Sequence, residues 1–201
     1  YSLLFTIIHN FAPFDYIIRK KLKKVQDKDR YEHTKGVMYT AGCLAMAYGY
    51  DMQKAMLAGL LHDCAKCIPN DEKLKYVENN NIQIDEMERE NPGLLHAKIG
   101  ADIAVKELGF TKEMAQAIRA HTTGIQNMSL LDKILFIADR TSKERGFADI
   151  DYLNTLLDED INKAVLYIID KKILLQIEKK ATMHTDSILA RNWIIRNNIN
   201  K

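Results

Sequence analysis

Apolar residues recur along this chain with the period of a helix, and no stretch keeps up the two-residue alternation of a half-buried strand. Phe14, Ile17, Ile18, Leu22 and Val25 fall on one stripe and predict a helix from Pro13 to about Gln26. A second, from Arg30 to Tyr48, carries Val37, Thr40, Ala41, Leu44 and Ala45, and Gly49 stops it. Asp51 is placed to cap a third, rich in Ala and Leu, that runs to about Lys66 before Pro69. A fourth starts at Asn70 or Asp71 and ends near Glu78, and the polar run over 79–89 reads as a loop. After Pro92 and Gly93, helices are expected over 95–108, 111–121, 129–140, 149–156, 158–179 and 185–196. Thr111 can cap its helix without completing a capping box, because Met114 stands where an acid or amide is needed. No repeat, low-complexity tract or linker divides the pattern. The expected fold class is all-α, with one domain over 14–196, an extension over 1–13 and a tail over 197–201.

Composition narrows the class of partner. Of 201 residues, 47% are hydrophobic and 28% charged, which is a folding rather than a disordered composition. The 29 basic and 27 acidic side chains leave a formal charge of +2, so no nucleic-acid polymer is expected as partner. The run Arg19-Lys20-Lys21-Leu22-Lys23-Lys24 reads as the solvated face around an apolar stripe. Three Cys cannot make a disulfide framework and favour a reducing compartment. The most apolar segment, residues 1–18, is interrupted by His9, Asn10, Pro13 and Asp15, too often for the ~20 apolar residues of a membrane span. It also lacks the basic start and small-residue cleavage site of a signal peptide, so no membrane partner is expected and the cytoplasm is the expected location.

The polar residues that break the helical pattern carry the chemistry. Leu60-Leu61-His62-Asp63 ends an apolar helix in an adjacent imidazole and carboxylate, a costly pair to bury without partners. A metal ion is such a partner: it takes neutral imidazole nitrogen and ionised carboxylate oxygen. His33, His96 and His121 lie within or at the edge of expected helices beside small or apolar residues, and Asp139 closes another apolar helix after Ile137-Ala138. No short-range pattern such as H-E-x-x-H is present, so a site built from these six must be assembled by tertiary packing. A lone His beside a helix is ordinarily a surface or satisfied core residue, and His9 and His184 are read that way. Cys64-Ala65-Lys66-Cys67 has no second Cys pair to complete a zinc site and reads as packing. Trp193 is assigned to packing ahead of stacking on a base.

Taken as an ordered set, His33, His62-Asp63, His96, His121 and Asp139 resemble the H…HD…D signature of the HD-domain phosphohydrolases, with the two further His of the dinuclear branch. The segments Arg30-Tyr31-Glu32-His33-Thr34-Lys35-Gly36, Ala58-Gly59-Leu60-Leu61-His62-Asp63-Cys64-Ala65-Lys66 and Ala117-Ile118-Arg119-Ala120-His121-Thr122-Thr123-Gly124 are similar to the bacterial YqeK-type family. So are Met128-Ser129-Leu130-Leu131-Asp132-Lys133-Ile134 and Ala190-Arg191-Asn192-Trp193, and the likeness runs from about Phe14 to Ile195.

That resemblance implies an HD-domain helical bundle and symmetrical hydrolysis of diadenosine tetraphosphate to two ADP. It implies two divalent metal ions, iron being the family's metal, while the ligand types also suit Mn, Co, Ni or Zn. By the same pattern His33, His62, Asp63 and Asp139 would hold one ion and His96 and His121 the other, with Asp63 bridging. A hydroxide shared by the ions would attack an inner phosphorus. Cations for the polyphosphate are sought in Lys66, just past the HD pair and ranked with Asp63 as catalytic, in Arg30 one turn before His33, and in Arg145. Thr122, Thr123 and Gly124, beside His121, can offer hydroxyls and backbone N–H groups. Where the family places an aromatic and then Glu-Pro before its Arg, this chain has Arg140-Thr141-Ser142-Lys143-Glu144-Arg145, and Arg140 is an alternative cation. The rival readings are an HD nucleotidase or phosphodiesterase acting on another nucleotide, and a non-catalytic nucleotide-binding regulator. A small nucleotide is the expected partner in the first two, and a homodimer is compatible with all three.

Overall fold

The computed structural model describes residues 11–199, so the stretches 1–10 and 200–201, including His9 and most of the expected N-terminal extension, lie outside the described residues. Within them every regular element is helical: α1 Phe11–Val25, α2 Lys28–Ala47, α3 Met52–Leu61, α4 Asn70–Asn79, α5 Glu86–Glu90 and α6 Leu95–Leu108. They are followed by α7 Lys112–Ala120, α8 Leu130–Thr141, α9 Ile150–Glu159, α10 Ile161–Glu178 and α11 Thr185–Ile194. Short 3-10 turns, Pro92–Leu94 and Lys143–Arg145, precede α6 and follow α8.

Side-chain caps fix several starts. Asp27 accepts from the Arg30 amide, Asp51 from that of Lys54 and Thr111 from that of Met114, each satisfying a donor left open at a helix N-terminus. Ser129 and Asp132 complete a capping box on α8, and Asp85 and Glu88 complete another on α5.

At the centre lies α8, whose Leu131, Ile134, Leu135, Phe136, Ile137 and Ala138 are all buried, so apolar residues surround it. Helices α2, α7 and α10 pack around it, and α3 is wedged between α2, α7 and α8. The tightest seam is α2 on α3: a Cβ added to Gly59 would stand 2.9 Å from Met38 Cα and 3.1 Å from Val37 O. Only a glycine lets the two backbones approach so closely. A smaller cluster of Ala65, Val77, Leu95 and Ile99 fastens α4 to α6.

The structure corrects four expectations. The third helix ends at Leu61 rather than near Lys66, and the chain goes on in turns such as Cys64 N–H to Leu61 O and Lys66 N–H to Asp63 O. The cause is local: His62 Nδ1 lies 2.7 Å from Gly59 O, the carbonyl that the Asp63 amide would bond in a continuing helix. The loop expected over 79–89 gives way at its end to α5, whose D-x-x-E cap was present in the sequence. The break expected at residue 157, between the helices over 149–156 and 158–179, falls at Asp160 instead, which turns extended and whose carboxylate caps α10 through the Asn162 amide. On α1 only Ile18 and Leu22 of the proposed stripe are buried; Ile17 and Val25 are exposed, and the Phe14 side chain lies outside what is described.

Candidate metal centre

Five helix ends or interiors deliver one polar side chain or pair each to the same buried point. His33 comes from α2, His62 and Asp63 from the end of α3, His96 from the first turn of α6, His121 from the end of α7 and Asp139 from the last turn of α8. None of the six is more than 5% exposed. His33 Nε2 lies 3.1 Å from Asp139 Oδ1, and His62 Nε2 lies 3.7 Å from that oxygen and 3.4 Å from Asp63 Oδ2. The other Asp63 oxygen, Oδ1, is 3.1 Å from His96 Nε2 and 3.6 Å from His121 Nε2. Asp63 therefore faces His62 with one oxygen and the His96–His121 pair with the other.

The backbone decides which nitrogen each ring turns inward. His62 Nδ1 meets Gly59 O at 2.7 Å, His96 Nδ1 meets Gly93 O at 2.6 Å and His121 Nδ1 meets Ile118 O at 2.6 Å. A carbonyl only accepts, so each Nδ1 carries the proton and each Nε2 presents its lone pair to the cluster. His33 Nδ1 is held at 3.0 Å by the Ser142 hydroxyl. This is the outer-shell arrangement that orients metal-binding imidazoles.

The inward atoms fit a cation. His62 Nε2 is buried and has no hydrogen-bond partner. The Nε2 atoms of His96 and His121 are only 3.2 Å apart, two lone pairs that repel unless a positive charge or proton lies between them. The Thr122 hydroxyl, 3.3 Å from the first and 3.0 Å from the second, has one proton to give. Two sets, His33–His62–Asp139 and His62–Asp63–His121, each bring their donor atoms within 4.8 Å of one another, and imidazole nitrogen with carboxylate oxygen is a donor mix for first-row divalent metals.

Charge balance agrees. Burial alone would raise the Asp63 and Asp139 carboxyls, yet both lie well below the usual carboxylate range because His62, His96 and His121 surround the first and His33, His62 and Arg140 the second. Burial pushes His96 down to about 4 and lowers His33, the latter partly offset by Asp139. His62 is fully enclosed, which disfavours its charge, but the Asp63 and Asp139 carboxylates outweigh that and raise it.

The expected cations fall close by. Arg30 Nη1 donates to Asp63 Oδ2 at 2.6 Å. Arg145, despite lacking the Pro-stiffened turn before it, donates through Nη2 to Asp139 Oδ1 at 2.8 Å and lies 3.3 Å from His33 Nε2. An ion on those two atoms would compete with this guanidinium. Arg140 Nε is 3.8 Å from Asp139 Oδ2, while its Nη2 donates to Thr122 O. Lys66 is half-buried beside His96, and burial lowers its pKa. At 3.5 Å from an Nδ1 that already donates to Gly93 O, its ammonium has no acceptor there. Two expectations need correction. The Thr123 hydroxyl donates to Gly124 O, and the Gly124 amide donates to Ala120 O, so these groups close the turn after α7 instead of facing the cluster. Gly124 is needed there for its φ of 72°.

Two neighbours had no readable signal. Ser142, 1% exposed, holds His33 across 109 residues of chain, and Lys172 on α10 donates to Thr122 O. His184 is structural: it caps α11 through Nδ1 and pairs with Asp85, while nearby Glu88 is taken by Lys98 and the Asp85 amide. The three Cys are free; burial pushes the Cys64 thiol up to about 12, as fits a packing residue. Lys20, Lys21, Lys23 and Lys24 are exposed, and Trp193 packs against the core. No helix among the described residues is long and apolar enough to cross a membrane.

Comparison with known proteins agrees with this geometry. The HD domain family model matches residues 30–144. A symmetrical bis(5'-nucleosyl)-tetraphosphatase of Bacillus subtilis (strain 168) is 33% identical, over 87% of this chain and 94% of its own. One of Halalkalibacterium halodurans is 38% identical, over 83% of this chain and 89% of its own. A crystal structure of a predicted HD superfamily hydrolase involved in NAD metabolism from Clostridium acetobutylicum superposes with a TM-score of 0.87 at 39% identity, covering 92% of this chain and 98% of the other. The chain is thus a member of the HD-domain hydrolase family, in the branch of the bacterial symmetrical bis(5'-nucleosyl)-tetraphosphatases.

Proposed function

We propose that this protein hydrolyses diadenosine tetraphosphate symmetrically: water adds to one of the two central phosphorus atoms, the bridging P–O bond to the other breaks, and two ADP leave. The observation that carries the reading is the inward convergence of four imidazole Nε2 atoms on the Asp63 and Asp139 carboxylates, with His62 Nε2 unpartnered. The names of the similar proteins supply the substrate.

In this reading His33, His62, Asp63 and Asp139 would hold one divalent ion, and His96 and His121, with Asp63 beside them, would hold a second; iron is the expected metal. When bound, such ions supply an acidified water and neutralise phosphoryl charge. The chain's own residues do the rest. The Gly59, Gly93 and Ile118 carbonyls and the Ser142 hydroxyl hold the protons of the outer ring nitrogens, so the inward lone pairs stay available. Arg30 and Arg145 flank the carboxylates and can turn to phosphate oxygens, and Lys66 and Arg140 add positive charge where the leaving nucleoside diphosphate gathers negative charge. The apolar α8 and α3 close the floor and keep bulk water from reaching the ligands from below.

The test is product analysis with metal-loaded protein. Diadenosine tetraphosphate should give ADP as the sole nucleotide product. AMP plus ATP, or rapid cleavage of a mononucleotide with none of the dinucleotide, would replace this reading with the nucleotidase one. His62→Ala or Asp63→Ala should abolish turnover; an unchanged rate would remove the proposed centre.

A further inference from the structure

Beside the cluster lies an open cavity of about 380 Å³, within the size range of small-ligand sites. Its walls come from the α5 end, the turn before α6, the turn after α7, α10 and the α10–α11 connection. Met87, Leu94, Ile173 and Met183 give it apolar faces, and Asn91 and Gln176 give it amides that make no side-chain hydrogen bond among the described residues. Thr122 joins the cavity to the cluster: it lines the one and its hydroxyl lies 3.0 Å from His121 Nε2 in the other. Lys172 also lines the cavity, and both its ammonium and the Arg140 guanidinium converge on the single carbonyl of Thr122. Arg140 also faces the Asp139 carboxylate at 3.8 Å, whereas the Lys172 amine has the neutral Thr122 carbonyl as its hydrogen-bond partner and can turn to an incoming anion. The opposite side of the cluster differs. The cavity there is lined by Asp27, Asp29, Arg30, Glu32, His33 and Arg145, with no apolar face for a base.

Resting on the proposed activity, we infer that the cavity seats one nucleoside of the substrate, its base between Met87, Leu94, Ile173 and Met183, and that Lys172 is a positioning residue at its mouth, drawing the attached diphosphate across Thr122 toward the metals. The two chemically equal halves of a dinucleoside polyphosphate then meet unequal surroundings, and only one is held by its base. Burial and the nearby Arg140 lower Lys172 to about 7, partly offset by Asp139, so a phosphate at the mouth would favour its charged form.

Binding to the metal-loaded protein, measured calorimetrically with ADP and with inorganic pyrophosphate, tests this without turnover. Gln176→Trp, which fills the cavity, should weaken ADP about tenfold or more and pyrophosphate less than about threefold. Lys172→Met should weaken both by about tenfold, with Lys172→Arg recovering part of the loss. Melting temperatures check folding, and Met183→Trp, from the connection rather than the helix, serves if Gln176→Trp does not fold. ADP binding unchanged in the cavity-filling and Lys172→Met variants, or ADP and pyrophosphate weakened equally by the cavity-filling variant, overturns the inference. If diadenosine tetraphosphate is not cleaved but ADP binding follows this pattern, the cavity assignment stands and the proposed substrate falls. Turnover to ADP with no cavity dependence has the opposite meaning.

Discussion

Substituting Gly59 by Ala tests the packing that brings α2 and α3, and hence His33 and His62-Asp63, to the same point. The added methyl would sit 2.9 Å from Met38 Cα and 3.1 Å from Met38 N, where ordinary contact begins at 3.4 Å. The seam must open by about half an ångström, and the obstacle is backbone, which cannot rotate away. Overpacking of this kind costs about 1–3 kcal/mol, and a backbone obstacle puts this site at the upper end. Ala is intrinsically better in a helix than Gly by about 1 kcal/mol, so the steric term wins by about 1–2 kcal/mol. In a domain of this size that lowers the melting temperature by roughly 2–8 °C. Denaturant unfolding of the metal-loaded and the chelated protein measures it; the midpoint should fall while the slope m stays fixed. Metal affinity should fall as well, because Gly59 O orients His62. A variant as stable as the parent, or more so, would refute the argument, since propensity would then outweigh the contact. Gly49→Ala is a control of another kind: nothing lies within 4 Å of its added Cβ, and only its φ of 66° opposes the change.

Other outcomes are equally specific. Ser142→Ala removes the group holding His33 Nδ1 and should cost about 10–100-fold in metal affinity or activity, read by metal titration, with a melting temperature near the parent's. Arg145→Ala should lower turnover about a hundredfold while metal content by elemental analysis stays the same; loss of the metal instead would make Arg145 a support for Asp139 only. Chelation should lower the melting temperature and abolish turnover, and re-addition of a divalent metal should restore both; a melting curve indifferent to chelator contradicts a metal held by these residues. His96 is pushed down to about 4 from 6.5, so the unfolded chain takes up its proton first as pH falls. Its stabilising contribution is therefore complete above about pH 6.5 and is lost toward pH 4, amounting to ~3 kcal/mol. In chelated protein, His96→Gln should show a shallower acid limb over that window, and parallel curves would count against a neutral, buried His96.

Much of the fold was legible because helices announce themselves locally. The apolar period, the caps Asp51 and Thr111 and the stop Gly49 are relations among neighbours a few residues apart. The errors arose where one side chain outbid the period. His62 took the carbonyl that would have carried α3 onward, and Asp160, by capping α10, moved the break between the last two helices of that stretch on from residue 157. The capping box of α5 was readable and lay hidden only by the polarity of its segment.

What the sequence determined by itself was the helical class and the six residues that the fold brings to one buried cluster, since each is an imidazole or carboxylate set where apolar neighbours make an unpartnered polar group costly. What tertiary structure alone decided was direction and distance. Only the packed chain turns each Nε2 inward, by placing a carbonyl three residues back against three of the rings and Ser142 against the fourth. Only packing sets Arg145 beside both Asp139 and His33 and lays Lys172 against Thr122. His33 with Ser142 and Lys172 with Thr122 join residues 109 and 50 apart, and a periodicity that spans three or four residues carries no record of such contacts.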